Sequence, residues 1–241
     1  MHRRNRHINP KHAGAYIAMD SRFISGLSNG SLVTTWTNRV GNFNFTISTD
    51  TNKPTYNTNQ IAGNPGVNFD GSNDYLLSTT TTNTTSDQSY VFVGTLKRSP
   101  NYAHVNIDTI MDVSGYVSRN PRQGFISYYT NTYLSTTQPY AAVEMQDASS
   151  NNVSATTING TESGVVAGNI SVNVPNILSG TLTNGIAGTS LTIEMGRNDS
   201  VSGQTYGNLT LCAAIVFSNI SVSLRKRFEK FAAFTFKIKC S

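Results

Sequence analysis

Apolar residues recur along this chain mostly at every second position, in short runs broken by clusters of Asn, Gly, Ser and Thr. A period of two marks a strand with one buried face. Val67 and Phe69 alternate with Asn68, Asp70-Gly71-Ser72-Asn73 turns the chain, and Asp74-Tyr75-Leu76-Leu77 resumes an apolar run. The stretch from Pro65 to Ser78 therefore reads as a β-hairpin about an Asp-Gly turn. Asn29-Gly30, between Leu27 and Leu32-Val33, gives a second hairpin signal. Tyr90 to Leu96 is apolar at odd and even positions alike, which predicts a central strand covered on both faces. Gly124 to Tyr129 is a further strand candidate.

Leu191, Ile193 and Met195 alternate with Thr192 and Glu194, the pattern of a half-exposed strand. Leu209, Leu211, Ala213, Ile215 and Phe217 alternate over a longer run and predict a strand with all five on one face. Thr79 to Ser89 has no apolar period and reads as a surface loop. Residues 149 to 190 read as short strands with generous turns. Only one segment has the helical period: Leu224, Phe228, Phe231 and Ala232 fall at i, i+4, i+7 and i+8, with Ser223 placed to cap a helix over about 223–236. Arg225, Lys226, Arg227 and Lys230 are assigned to its opposite, solvent-facing side. Many strands, one terminal helix and no βαβ alternation predict an all-β, two-sheet antiparallel sandwich of the jelly-roll kind.

Charge changes this picture at the two ends. The 241 residues carry a net charge of +5, with only 13% charged. Residues 1–12 hold Arg3, Arg4, Arg6 and Lys11 and no acid, so they contribute +4. Residues 222–241 contribute +5 and the body between them −4. The expected organisation is a basic N-terminal arm over 1–12 and a single sandwich domain over 13–241. Such an arm suits an acidic protein surface or non-specific contact with nucleic acid.

Ala13 to Met19 is too short and polar for the core of a secretory signal, so the sequence reads as a complete product with an initiating Met and no export signal. No apolar run approaches the roughly 20 residues that span a bilayer, and no membrane partner is expected. Cys212 lies in an apolar strand and reads as a core residue, while Cys240 reads as a free thiol; a disulfide between them stays open. Asn-x-Ser/Thr triplets such as Asn44-Phe45-Thr46 read as chance matches in an Asn- and Thr-rich chain.

The segment Phe69-Asp70-Gly71-Ser72-Asn73-Asp74-Tyr75-Leu76 resembles a signature of concanavalin A-like, or laminin G-like, jelly rolls. Tyr16-Ile17-Ala18-Met19-Asp20-Ser21 is similar to the family's opening strand. Trp36-Thr37-Asn38-Arg39-Val40-Gly41-Asn42 is similar to its Trp-x-Asp-x-Ser-Gly-Asn turn, with Val40 where a small polar residue is usual. Pro54-Thr55-Tyr56, Ile61 to Pro65, Met195-Gly196-Arg197 and Ala213 to Phe217 followed by a helix also fit. The resemblance spans roughly residues 13 to 238, its middle third by pattern alone. It implies the fold and leaves function open, because this fold hosts lectins, adhesion modules, hydrolases and virion proteins.

Candidate chemistry is sparse. His104 is the one histidine outside the first twelve residues, and neither a Gly-x-Ser-x-Gly elbow nor a zinc motif is present. Glycoside hydrolysis needs two facing carboxylates, and Glu144 with Asp147, three apart, would point to opposite faces of a strand. Calcium, which laminin G-like domains often carry, could draw on Asp70, Asn73 and Asp74, yet a site needs six or more oxygens, and the same side chains suit hydrogen bonds within the turn. Tyr102, Tyr116, Tyr128, Tyr129, Tyr133 and Tyr140 form the densest aromatic supply for a glycan or protein partner. Trp36 reads as structural.

The combined expectation is a non-enzymatic virion structural protein, a capsid or particle-surface subunit whose partners are other virion subunits or itself. A carbohydrate-binding or adhesion module at a cell surface is the alternative, and a glycoside hydrolase the third reading.

Overall fold

A computed structural model of the chain describes residues 9–80, 82–84, 88–97, 106–114, 124–130, 141–144, 153–163, 173–182, 188–200 and 203–240. In chain order the strands are β1 (Ala15–Asp20), β2 (Ser31–Leu32), β3 (Thr35–Trp36), β4 (Phe45–Thr46), β5 (Thr55–Ile61), β6 (Asn64–Asp70) and β7 (Leu76–Ser78). They continue with β8 (Thr82–Thr84), β9 (Gln88–Leu96), β10 (Asn106–Ser114), β11 (Gly124–Thr130), β12 (Ala141–Glu144), β13 (Val153–Ile158) and β14 (Thr161–Ser163). The last are β15 (Pro175–Leu182), β16 (Gly188–Met195), β17 (Arg197–Ser200), β18 (Gly203–Tyr206) and β19 (Asn208–Phe217), followed by helix α1 (Val222–Phe236).

Among the described residues these strands form two large antiparallel sheets. The first has the order β14-β13-β15-β9-β19-β6-β5-β2, with β1 also paired to β19. The second has the order β12-β11-β10-β16-β7-β4-β3, with β8 also on β16. The β17–β18 ribbon stands apart. The chain is thus the two-sheet antiparallel sandwich with one C-terminal helix that its periodicity predicts.

Side chains from both sheets fill the space between them, with Trp36, Phe45, Phe69, Phe92, Met111 and Ile193 all buried there. Trp36 is 1% exposed and structural. A second apolar cluster lies on the other side of the first sheet, where Val91, Val93, Ala213 and Phe217 meet Phe228 and Phe236 of α1. Strands β9 and β19 are therefore covered on both faces, which is why Tyr90 to Leu96 carries no polar alternation.

Several local expectations are corrected. The strands flanking the Asp70 turn are not a hairpin: β6 pairs with β5 and β19 in the first sheet, and β7 with β4 and β16 in the second. Five residues separate them, so the turn is an arch from one sheet to the other. Alternation set Val67 and Phe69 inward correctly, and Leu76 is buried too, but the pattern does not say which sheet holds each strand. Gly30 makes its turn at φ +85°, but β2 after it pairs with β5, not with the segment around Leu27. Thr79 to Ser89 is not wholly loop, since Thr82–Thr84 pairs with β16 and Gln88 and Ser89 are buried at the start of β9.

In β19 the register shifts between Leu211 and Ala213, opposite Gly94. That bulge moves Ala213 and Phe217 to the helix side while Leu209 and Leu211 face the other sheet. A Cβ on Gly94 would lie 2.4 Å from the Thr210 carbonyl oxygen, so the bulge depends on glycine there. Cys212 and Cys240 are both free thiols, and burial pushes the Cys212 thiol up to about 12.

The helix differs from expectation at its start. Ser221, not Ser223, is the N-cap, its Oγ accepting from the Leu224 N–H at 3.3 Å. Arg225 does not face solvent: it is fully buried. It lies one turn from Phe228 on the stripe that also holds Glu229, Ala232 and Phe236. Its Nη1 donates to Glu229 Oε1 at 2.8 Å and to Ser179 Oγ at 2.6 Å, and Ser179 Oγ donates to Glu229 Oε1 at 2.5 Å. Thr157 Oγ1 lies 2.5 Å from the Ser179 hydroxyl. The mutual neutralisation lets a charged pair occupy an apolar stripe.

Breaking that pair and deleting it should differ. Arg225→Met strands the Glu229 carboxylate and is expected to cost about 3–5 kcal/mol in urea unfolding, whereas Arg225→Met with Glu229→Leu should recover most of the loss.

Candidate functional site

Among the described residues, a cleft of about 240 Å³ lies on the outer side of the first sheet, where the N-terminal segment, β1 and α1 meet. Its floor is Val91, Val93, Ala213 and Ile215 from β9 and β19, and one wall is the Phe228, Phe231 and Phe236 side of α1. The rest of the rim is polar and comes from three short segments.

The first is a 3-10 turn at Pro10–Ala13. Asn9 caps it by accepting from the Lys11 N–H at 3.0 Å, and Gly14 closes it at φ +76°. Lys11 is thereby set at the mouth. The second is the 3-10 turn Ser21–Phe23. The Asp20 carboxylate accepts from the Arg22 N–H at 3.1 Å and grips the Arg22 guanidinium at 2.9 and 2.6 Å. Asp20 thus caps the turn and neutralises Arg22, and Phe23 is turned outward, 55% exposed.

The third is the turn after Trp36. Asn38 is buried between this turn and β1, accepting from the Ala18 N–H and donating to the Tyr16 carbonyl, each at 2.9 Å. The Arg39 N–H donates to the Ala18 carbonyl at 3.0 Å. These bonds hold the Arg39 guanidinium 3.4 Å from the centroid of the Phe23 ring. Arg22 lies 5.3 Å from the Phe236 ring. The mouth therefore carries one exposed aromatic, Phe23, and three cations, with Asp20 offsetting one of them.

The residues singled out from sequence fall elsewhere. Asp70, Asn73 and Asp74 sit in the arch between the sheets. Asp70 Oδ1 accepts from the N–H groups of Ser72, Asn73 and Asp74 at 2.8, 3.2 and 3.4 Å. Asp74 Oδ2 accepts from the Asp70 N–H at 3.0 Å, and Asn73 Nδ2 donates to the Thr51 carbonyl at 2.6 Å. A calcium ion needs six or more oxygens turned towards it. Here Asp70 Oδ1 and Asp74 Oδ2 are turned onto N–H donors, the hydrogen bonding within the turn that the same side chains suit. Among the described residues no group of three or more His, Cys, Asp or Glu is placed to hold a metal.

Tyr102, Tyr116, Tyr133 and Tyr140 lie outside the described residues, as do His104 and Asp147. Tyr128 and Tyr129 stand on β11, opposite Asp108 and Ile107 of β10. Arg3, Arg4 and Arg6 also lie outside the described residues, while Lys11 is at the cleft mouth. Glu144 ends β12.

Glu194 is not half-exposed but buried, held by Arg197 Nε at 2.9 Å and Nη2 at 2.7 Å. Arg197 in turn lies 3.9 Å from the Tyr75 ring. The strand register sets Asp112 directly across from Glu194, the acidic pairing that the sequence spacing did not reveal. The bidentate arginine engages both Glu194 oxygens, one N–H to each, and neutralises the buried carboxylate.

Sequence reasoning missed Asp20, Arg22, Phe23 and Arg39 as site residues. Each is an isolated polar or aromatic position with no periodic signal. The family-like Trp36–Asn42 motif was the nearest hint, since it carries Arg39.

No family model and no curated protein matches this sequence. Solved structures align with the chain at low identity. Trypanosoma rangeli sialidase aligns at 11% identity and a TM-score of 0.49, over 95% of this chain and 34% of that one. The same enzyme in complex with 2,3-difluorosialic acid, a covalent intermediate, aligns at 9% identity and a TM-score of 0.48, over 89% and 32%. The chain thus spans about a third of the length of these structures.

Burial, and then the neighbouring Asp70 charge, push the Asp74 carboxyl up from 3.8 to about 7, against the opposing pull of the Asp70 N–H. The folded protein therefore holds this proton more tightly than the unfolded chain does. The stability from the neutral carboxyl is complete below about pH 4 and is lost as pH rises through about 7. Asp74→Asn keeps an acceptor for the Asp70 N–H and removes the titration. It should flatten the unfolding midpoint between pH 5 and 8, with a gain of about 1 kcal/mol at pH 8 after solvent screening.

Proposed function

We propose that the protein is a non-enzymatic structural subunit of a viral particle, built on a concanavalin A-like jelly roll, that seats its basic, helix-bearing face against an acidic neighbour. The observation that carries this reading is that Lys11 and the basic helix α1 border one cleft. Lys11, at the close of the N-terminal basic run, and α1, which begins the C-terminal one, border the same cleft. Arg227 and Lys230 on α1, and Lys237 at its C-cap, are exposed. Lys11 and the basic residues of α1 therefore lie on the same, outer side of the first sheet.

The acids support the same reading. Each described carboxylate side chain is engaged: Asp20 with Arg22, Asp50 with Lys53, Glu194 with Arg197, Glu229 with Arg225, and Asp70 and Asp74 within their turn. Such an arrangement favours a scaffold over a reaction centre. The family-like motifs agree, since this fold serves as a scaffold in many settings.

A second reading, recognition of a surface glycan, is favoured by the position of β11. It carries Tyr128 and Tyr129 in the second sheet, away from the helix-covered first sheet. Tyrosine offers a sugar an apolar face and a polar tip.

Electron microscopy of particles made by the virus that encodes the chain should place it as an ordered subunit at the particle surface or in the shell. Its absence from purified particles would remove the reading. Replacing Arg227, Lys230 and Lys237 together by Gln should weaken its retention on particles and flatten the dependence of retention on salt. Binding on a glycan array that is lost on changing Tyr128 and Tyr129 to Ala would move the assignment to the second reading.

A further inference from the structure

We infer that the cleft between β1 and α1 binds an acidic polypeptide segment through one large apolar side chain, inserted between flanking carboxylates. This rests on the docking reading above and names the partner's chemistry.

Two features of the cleft point to that partner. Its lining is apolar, with half-buried Ile215 and Phe231 open to it above the buried Val91, Val93 and Ala213, and its volume of about 240 Å³ suits a single bulky side chain rather than an extended ligand. Its mouth is cationic. Lys11, Arg22 and Arg39 border it against one acid, Asp20, which is already clamped to Arg22. Arg39 lies over the Phe23 ring and, among the described residues, forms no ion pair with an acid. It offers outward N–H donors to a carboxylate, and Phe23, 55% exposed, offers an edge for the incoming side chain.

Charge decides between occupants. Residues 1–8, which lead into the mouth at Asn9, carry Arg3, Arg4 and Arg6 and no acid, so three cations would be brought against three more. A segment with Asp or Glu on either side of Phe, Leu or Trp complements both layers. An acidic segment on another particle protein meets that description.

The test is a titration of the full-length protein with the end-blocked peptide Glu-Asp-Phe-Asp-Glu, read by isothermal calorimetry at about 50 mM salt. Binding with Kd on the order of 10–100 μM is expected. The Ala-for-Phe peptide should bind about tenfold more weakly, because the floor contact is gone. Arg39→Glu, an exposed change whose folding is checked by thermal melt, should weaken the parent peptide by about tenfold.

Equal binding of the Phe and Ala peptides, weakening with salt, would overturn the cleft inference and leave the basic-face reading standing. No binding of either peptide, together with no retention on particles, would overturn both. Displacement of the Phe peptide by a synthetic peptide of residues 1–8 would make the chain's own arm the occupant. A dimer in sedimentation velocity that the Phe peptide dissociates would make it a second copy. Either result would also overturn the inference.

Discussion

The structure depends on one pair of strands that is apolar on both sides. β9 and β19 lie at the centre of the first sheet, and neither face of either strand is left to water. One face requires the second sheet and the other requires a helix. Burial of apolar area is the dominant favourable term in folding, so a sheet with two apolar faces is stable only as the middle layer of three. The bulge opposite Gly94 follows from that demand. It lets a single strand offer Leu209 and Leu211 to one layer, and Ala213 and Phe217 to the other.

The helix completes the third layer at a cost. Its buried stripe includes Arg225 and Glu229, two ions withdrawn from water, and the hydroxyls of Ser179 and Thr157 bond with them. A buried pair of this kind contributes little to net stability and much to register, because each ion tolerates only the position that supplies its partner. With Arg225 and Glu229 turned inward, the charge left facing outward on α1 is wholly basic. The same packing that closes the apolar layer therefore also creates the cationic side and borders the cleft.

Fold class was legible because alternation and the single 3.6-residue period report directly on which faces are buried. Strand partners were not. The Asp70 turn has the residues of a hairpin, and the fact that Val67, Phe69 and Leu76 all point inward is equally true of an arch between sheets. Arg225 was misplaced for a related reason. A basic residue on an apolar stripe is read as solvent-facing unless its partners are known, and Ser179 and Thr157 are distant in sequence. The cleft was hidden altogether, since Phe23, Arg39 and Phe231 come together only after three separate segments dock on one sheet.

The first strand sets a further property of the molecule. β1 runs antiparallel to β19 with Ala15 opposite Phe217, so the chain enters the sheet beside the point where it leaves for the helix. A tensile load applied between these two points would part the ladder one hydrogen bond at a time from that end, like a zip, rather than shear all its bonds together. The sandwich is therefore mechanically soft along its own termini. An assembly that holds both ends on one support would shield this seam from strain and present the opposite sheet outward.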